Sequence, residues 1–253
     1  FIKLIATAID KKSSYTGGHC ERVPVIAMLL ADAVEKMTEG KYKDFVMTQD
    51  ERYELYIASW LHDCGKVATP THIVDKATKL ETITDRIETI DTRFEVLKRD
   101  IEISMLKKQI QIIKNGTTSD ALDQIKSEYK SSLDQINDDK QFIRKTNFGV
   151  ECMKLDDQKR VENIANYNII FDDIEIPLLE EKDIRNLQIT KGTLLPEERE
   201  IINDHIVHTI DMLEQLPYPK KLRNVPEYAG GHHEKLNGKG YPKGLKDQDL
   251  SIQ

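Results

Sequence analysis

Two short clusters lie far apart in this chain, His62-Asp63-Cys64-Gly65-Lys66 and Gly231-His232-His233-Glu234-Lys235-Leu236-Asn237-Gly238-Lys239-Gly240-Tyr241-Pro242. For their imidazoles and carboxylate to act together, distant segments must converge, and this requirement restricts the fold more than any other feature. The apolar residues around the clusters recur at helical spacing. Val23, Ile26, Leu29, Leu30, Ala33, Val34 and Met37 predict a helix that begins at His19 and stops near Gly40. Thr48 and Glu51 form a capping box for a second helix, whose apolar face of Tyr53, Tyr56, Ile57, Trp60 and Leu61 delivers His62-Asp63 at its end. Thr193-Leu194-Leu195-Pro196-Glu197-Glu198 starts another, with proline in the first turn and acids at the positive helix end. Ile202, His205, Ile206, Ile210 and Leu213 share one side of it. Pro217 and Pro219 end it, and a further helix begins near Val225-Pro226 and runs into His232-His233. With aromatics at 6% and charged residues at 32%, the chain suits an all-α protein with long solvated faces better than a β-sandwich.

The texture changes from about Glu81. Ile83, Ile87, Ile90, Phe94, Leu97 and Ile101 alternate steps of four and three, the spacing of a coiled-coil seam. Asn115-Gly116-Thr117-Thr118 makes a turn, and Leu122, Ile125, Tyr129, Leu133 and Ile136 resume the helical spacing, so an antiparallel helical hairpin is expected. It continues through a third, weaker helix (Val161, Ile164, Tyr167) to about Thr190. The expected organisation is one domain from residues 1–80 and 191–253, interrupted by a helical hairpin insertion over 81–190 that serves as a docking or dimerisation arm or as a scaffold.

Several classes lack support. There is no GxxxxGK[ST] loop, no GxGxxG after a strand and no GxSxG elbow. A formal charge of −7 argues against a general DNA or RNA binder, while a small anionic ligand stays open because local charge decides that. No apolar run approaches the roughly 18 residues of a bilayer span, and no leader opens the chain. Cys20, Cys64 and Cys152 form no disulfide framework, so a soluble cytoplasmic segment is expected. Phe1, Ile2, Leu4, Ile5, Ala8 and Ile9 read as a helix already under way, which suggests a piece excised from a longer protein.

Neutral imidazole and carboxylate together suit iron, manganese, zinc or nickel. Taken singly, each residue has a plainer reading: His62-Asp63 as a surface or capping pair, His205 as a hydrogen-bonded core histidine, His72 and His208 as solvent or packing residues. His232-His233 beside two glycines is more suggestive, because two adjacent imidazoles there are an unforced cost unless something binds.

The set as a whole resembles the HD-GYP family of bacterial cyclic-dinucleotide phosphodiesterases, a branch of the HD phosphohydrolase superfamily. The matching parts are Thr16-Gly17-Gly18-His19-Cys20-Glu21-Arg22-Val23, His62 to Lys66, Leu195 to His205, and His232-His233-Glu234 with Asn237 to Pro242. The resemblance covers residues 1–80 and 191–253 and implies an HD-type helical bundle. It also implies that His19, His62, Asp63, His205, His232 and His233 are ligands of two divalent transition-metal ions, iron or manganese first and zinc or nickel as alternatives. Asp63 would bridge them, Lys66 would meet the scissile phosphate or bridging water, and Gly240 and Tyr241 would shape the substrate mouth.

The implied activity is hydrolysis of a cyclic dinucleotide, cyclic di-GMP foremost, to pGpG or GMP. The alternatives are an inactive signalling or interaction module and another HD nucleotide phosphohydrolase. A regulatory sensor domain would precede this segment. Three departures stand out. The family's last aspartate ligand has no counterpart before Gln253, Tyr15 replaces a glutamate that supports a third metal in some members, and the insertion interrupts a normally short stretch. Lys235, Lys239 and Lys243 read as a solvated loop or as a positive rim.

Overall fold

The computed structural model describes residues 2–12, 18–116 and 119–251. Thr16 and Gly17 of the first motif, Tyr15, and the expected turn residues Thr117 and Thr118 lie outside the described residues. In chain order the helices are α1 (Ile2–Lys12), α2 (His19–Glu35), α3 (Gln49–Leu61), α4 (Thr71–Val74), α5 (Ile87–Lys114), α6 (Ser119–Thr146) and α7 (Leu155–Ile164). Strands β1 (Asn168–Phe171) and β2 (Ile174–Pro177) follow, then α8 (Glu181–Leu187), α9 (Pro196–Asn203), α10 (His205–Glu214) and α11 (Val225–Gly230). Two compact units result, Phe1–Asp75 with Pro196–Gln253, and Lys76–Leu195. No helix among the described residues is long and apolar enough to cross a membrane.

The first unit is a helical bundle. Its core joins Ala6 and Ile9 of α1, Ile57, Trp60 and Leu61 of α3, Leu213 of α10, and Val225 and Ala229 of α11. The helix ends are tied by side chains, as their orphan backbone groups require. Thr48 and Glu51 make the reciprocal box at the start of α3, with Thr48 N donating to Glu51 Oε2 at 2.7 Å and Glu51 N to Thr48 Oγ1 at 3.3 Å. Asp10 at the end of α1 accepts from Cys20 N at the start of α2. Buried Glu54 on α3 accepts from the backbone N (2.6 Å) and side chain (3.0 Å) of Asn224, which precedes α11. Helix α2 stops at Glu35, short of Gly40, and Gly40 sits instead in the following turn at φ 85°. The helix expected to run unbroken from Pro196 is interrupted at Asp204, so that His205 opens α10. Helix α11 ends at Gly230, and the two adjacent histidines lie in the turn after it.

The inserted unit is built on α5 and α6. Asp91 pairs with Arg144 at 2.8 Å and Glu95 with Lys140 at 2.8 Å, a register in which one number rises as the other falls, so the helices run antiparallel. Ile90, Phe94 and Leu97 face a core shared with Ile143 of α6, Val161 and Ile164 of α7, and Leu187 of α8. The third helix ends at Ile164, and Tyr167 lies beyond it. A β-hairpin follows that the spacing of Val161, Ile164 and Tyr167 conceals, with Asn168 opposite Pro177 and Phe171 opposite Ile174. Asp172 and Asp173 turn it at φ 49° and 60°, the pair of positive values that a tight two-residue hairpin requires. Apart from this small hairpin the fold is all-α. Replacing Thr48 by alanine removes the box at α3, and we expect a loss of about 1 kcal/mol in urea-unfolding stability with unchanged helical content.

Candidate metal centre

His62 caps the end of α3 with backbone angles still helical (φ −52°, ψ −33°), while Asp63 has left the helix (φ −106°, ψ 12°). On a continuing helix two successive side chains diverge by about 100°. Here the break lets both turn to one centre. Asp63 is 3% exposed, and its two oxygens face different partners. Oδ2 lies 3.0 Å from His62 Nε2, 3.3 Å from His19 Nε2 and 2.8 Å from Lys66 Nζ. Oδ1 lies 3.3 Å from His205 Nε2 and 3.8 Å from His232 Nε2. Two groups of three candidate ligands result, His19 with His62 and Asp63, and His205 with His232 and His233. His19 Nε2 and His62 Nε2 are 3.2 Å apart.

The outer nitrogens are fixed in a repeated way. His62 Nδ1 lies 2.7 Å from the carbonyl of Ser59, His205 Nδ1 2.5 Å from that of Ile202, and His232 Nδ1 2.7 Å from that of Ala229, each three residues earlier. A carbonyl oxygen only accepts, so each Nδ1 carries a proton, and each Nε2 is left facing Asp63 as the ring's candidate ligand atom. Buried Asp63 Oδ1 and His205 Nε2 have no hydrogen-bond partner among the described residues despite their 3.3 Å approach. Orphaned polar atoms of this kind are costly unless a cation lies between them. The donor set of imidazole nitrogen and carboxylate oxygen therefore fits divalent transition metals.

The charge states agree with this arrangement. Burial alone would raise the Asp63 carboxyl, but the neighbouring His205 and His62 rings and the Lys66 ammonium outweigh it and hold the group below the usual carboxylate range. Burial lowers His19 and His233, and lowers His232 to about 4, so these three stay neutral at pH 7.

Several positioning residues carry no sequence signal of their own. Thr209, one turn beyond His205 and fully buried, accepts from Gly65 N at 2.9 Å and donates to the carbonyl of His62 at 3.3 Å. A Cβ on Gly65 would fall 2.0 Å from the carbonyl oxygen of His205 and 2.5 Å from Thr209 N, so only glycine allows this approach. Lys12 donates to the carbonyls of Lys66 (3.0 Å), Val67 (2.5 Å) and Thr69 (2.6 Å), satisfying the short 3-10 segment that carries Lys66.

His19, His62, Asp63, His232 and His233 border a cavity of about 610 Å³, with Lys66 at its edge and Val23, Leu55 and Leu245 among its apolar walls. His205 does not line it. Tyr241 stacks on His233 with ring centres 4.5 Å apart and planes 16° from parallel. A Cβ on Gly240 would meet Glu234 Cα at 2.4 Å, and the Glu234 carboxylate accepts from the backbone N–H groups of Lys243, Gly244 and Leu245, which folds the loop back on itself. Neither Gly240 nor Tyr241 lines the cavity, nor do Lys235, Lys239 and Lys243, which are exposed. His72 and His208 are exposed and outside both ligand groups.

A helical bundle thus sets an aspartate between two groups of candidate metal ligands. Residues 174–253 match the family model described as HD domain. The chain is 34% identical over 85 residues to a 3'3'-cGAMP-specific phosphodiesterase 3 of Vibrio cholerae, an alignment covering 32% of this chain and 16% of that protein. It is 39% identical over 61 residues to a cyclic di-GMP phosphodiesterase of Thermotoga maritima, covering 24% of this chain and 16% of that one. The matched part thus spans about a sixth of the length of each of these relatives. No solved structure matches the chain. The family match and the two relatives make this part of the chain similar to HD phosphohydrolases.

Two outcomes follow. Thr209→Val leaves Gly65 N without its acceptor in the core and should cost roughly 1–3 kcal/mol of stability, while metal affinity falls about tenfold through the loosened His62, as isothermal titration with manganese would show. For the pH dependence, an unfolded histidine takes up its proton near the ordinary 6.5 and folded His232 only near 4. The unfolded state therefore holds more protons in that window, and the metal-free protein should lose stability as pH falls through it. Thermal unfolding in chelator should show this slope, flattened in His232→Gln.

Proposed function

We propose that this protein is a metal-dependent phosphodiesterase that hydrolyses a cyclic dinucleotide, cyclic di-GMP foremost, to pGpG or GMP. The observation that carries the reading is Asp63, whose Oδ2 faces His19 and His62 while its Oδ1 faces His205 and His232. His19 and His62 would hold one ion, His205, His232 and His233 the other, and Asp63 would bridge them, with iron or manganese the metals that suit these donors best. Such a pair, when bound, supplies an activated water and a clamp on phosphate oxygens.

The chain's own residues do the rest. Asp63 stays ionised, so a cationic centre meets a fixed negative charge. The Nδ1 bonds of His62, His205 and His232 hold their rings against rotation when a substrate enters. Lys66, 22% exposed at its side chain and lining the cavity, holds an ammonium within reach of a phosphate bound there and would offset charge that grows during displacement. Val23, Leu55 and Leu245 give nucleobases an apolar wall, and a cavity of about 610 Å³ lies within the range of small-molecule sites. The printed names of the two relatives point to the same class of substrate, cyclic di-GMP for one and 3'3'-cGAMP for the other.

The test is turnover of cyclic di-GMP and 3'3'-cGAMP by the iron- or manganese-loaded protein, against linear dinucleotides and mononucleotides. We expect cleavage of a cyclic dinucleotide, loss of both ions and of activity in Asp63→Ala, and a fall in kcat of about a hundredfold in Lys66→Met with both ions retained. A folded, metal-loaded protein that turns over none of the panel would overturn the reading, and retention of both ions by Asp63→Ala would remove the bridge.

A further inference from the structure

Helix α5 carries two apolar seams. The first, with Ile90, Phe94 and Leu97 at its centre, belongs to the core of the inserted unit, and partly buried Ile101 packs against it. The second occupies the later half of the helix. Ile103, Leu106, Ile110 and Ile113 follow at steps of three, four and three, and each is 46 to 64% exposed. At roughly 100° per residue these four lie on the side of the helix away from Leu97 and Ile101. Single exposed apolar side chains are ordinary. Four in one heptad row are not, on a stretch whose other exposed positions include Glu102, Lys107, Lys108 and Lys114.

The flanking charges indicate what covers the row. With Ile103 and Ile110 at a and Leu106 and Ile113 at d, Glu102 takes a g position and Lys107 the following e position. Neither has an ion-pair partner within the chain among the described residues. If two such helices pair in parallel, g of one meets e of the other, so Glu102 faces Lys107 of the second copy, twice by symmetry. Antiparallel pairing sets e against e, Lys107 against Lys114, and repels. Within parallel coiled coils, isoleucine at a with leucine at d, as in the first of these heptads, favours two strands.

We infer that the exposed row on α5 is a self-association surface on which a second copy of this chain packs its own α5 in parallel register. Two heptads bury less than the roughly 1,200 Å² of a standard stable interface, so the dimer is weak, with a Kd on the order of micromolar or above.

Sedimentation velocity of the full chain over a concentration series tests it. The wild type should show a monomer–dimer equilibrium. Leu106→Lys and Glu102→Lys should each weaken it about tenfold or more with helicity unchanged, and the Glu102→Lys effect should shrink in about 1 M salt, where the screening length is about 3 Å. An equimolar mixture of Glu102→Lys and Lys107→Glu should recover wild-type association, since both cross pairs are then opposite in sign. A wild type that stays monomeric, a dimer indifferent to either single variant, or a mixture of folded variants that fails to associate would each overturn the inference.

Discussion

One buried carboxylate organises the first unit. Asp63, 3% exposed at its side chain, has one oxygen against two imidazoles and an ammonium, and its other oxygen against two further imidazoles. A charge removed from water is strongly destabilising unless compensated. Among the described residues the formal cation beside it is Lys66, and carbonyls behind three of the histidines fix their Nδ1 protons. The described side chains therefore leave Asp63 Oδ1 and His205 Nε2 unsatisfied, a deficit that bound divalent cations would make good.

The backbone around that carboxylate is correspondingly constrained. The break after His62 lets adjacent side chains converge, Gly65 lets the following turn press on the start of α10, and Thr209 ties the two together. Lys12, from the first helix, satisfies three carbonyls of the same turn. The interruption at Asp204 serves the same end, because it puts His205 at the head of a helix with its ring turned to Asp63. Stability and site geometry thus depend on the same few contacts, so that changes at Thr209 or Gly65 act on both.

Much of this could be read from residue order alone. Strong local signals worked where one interaction decides the outcome, as with the Thr48 and Glu51 box and Pro196 at the first turn of α9. The long apolar spacing of α5 and α6 likewise shows two paired helices. Of the side chains expected as ligands, His19, His62, His205 and His232 approach Asp63 within 3.8 Å. What stayed hidden depends on contacts between distant residues. Lys12 is an ordinary surface lysine until the turn at Lys66 reaches it, and Thr209 is one threonine in an apolar helix. The hairpin at Asn168–Pro177 was masked because Asp172-Asp173 lacks the glycine that marks such turns, and Tyr167 extends the helical spacing of α7 by accident. The exposed row on α5 was hidden for another reason, since Ile103, Leu106, Ile110 and Ile113 are apolar residues whose exposure shows only in three dimensions.

The most direct test of the central claim is anomalous diffraction from crystals of the protein loaded with manganese. The account predicts two sites, one beside Asp63 Oδ2 with His19 and His62, the other beside Oδ1 with His205, His232 and His233. A single site, or ions bound away from Asp63, would contradict it.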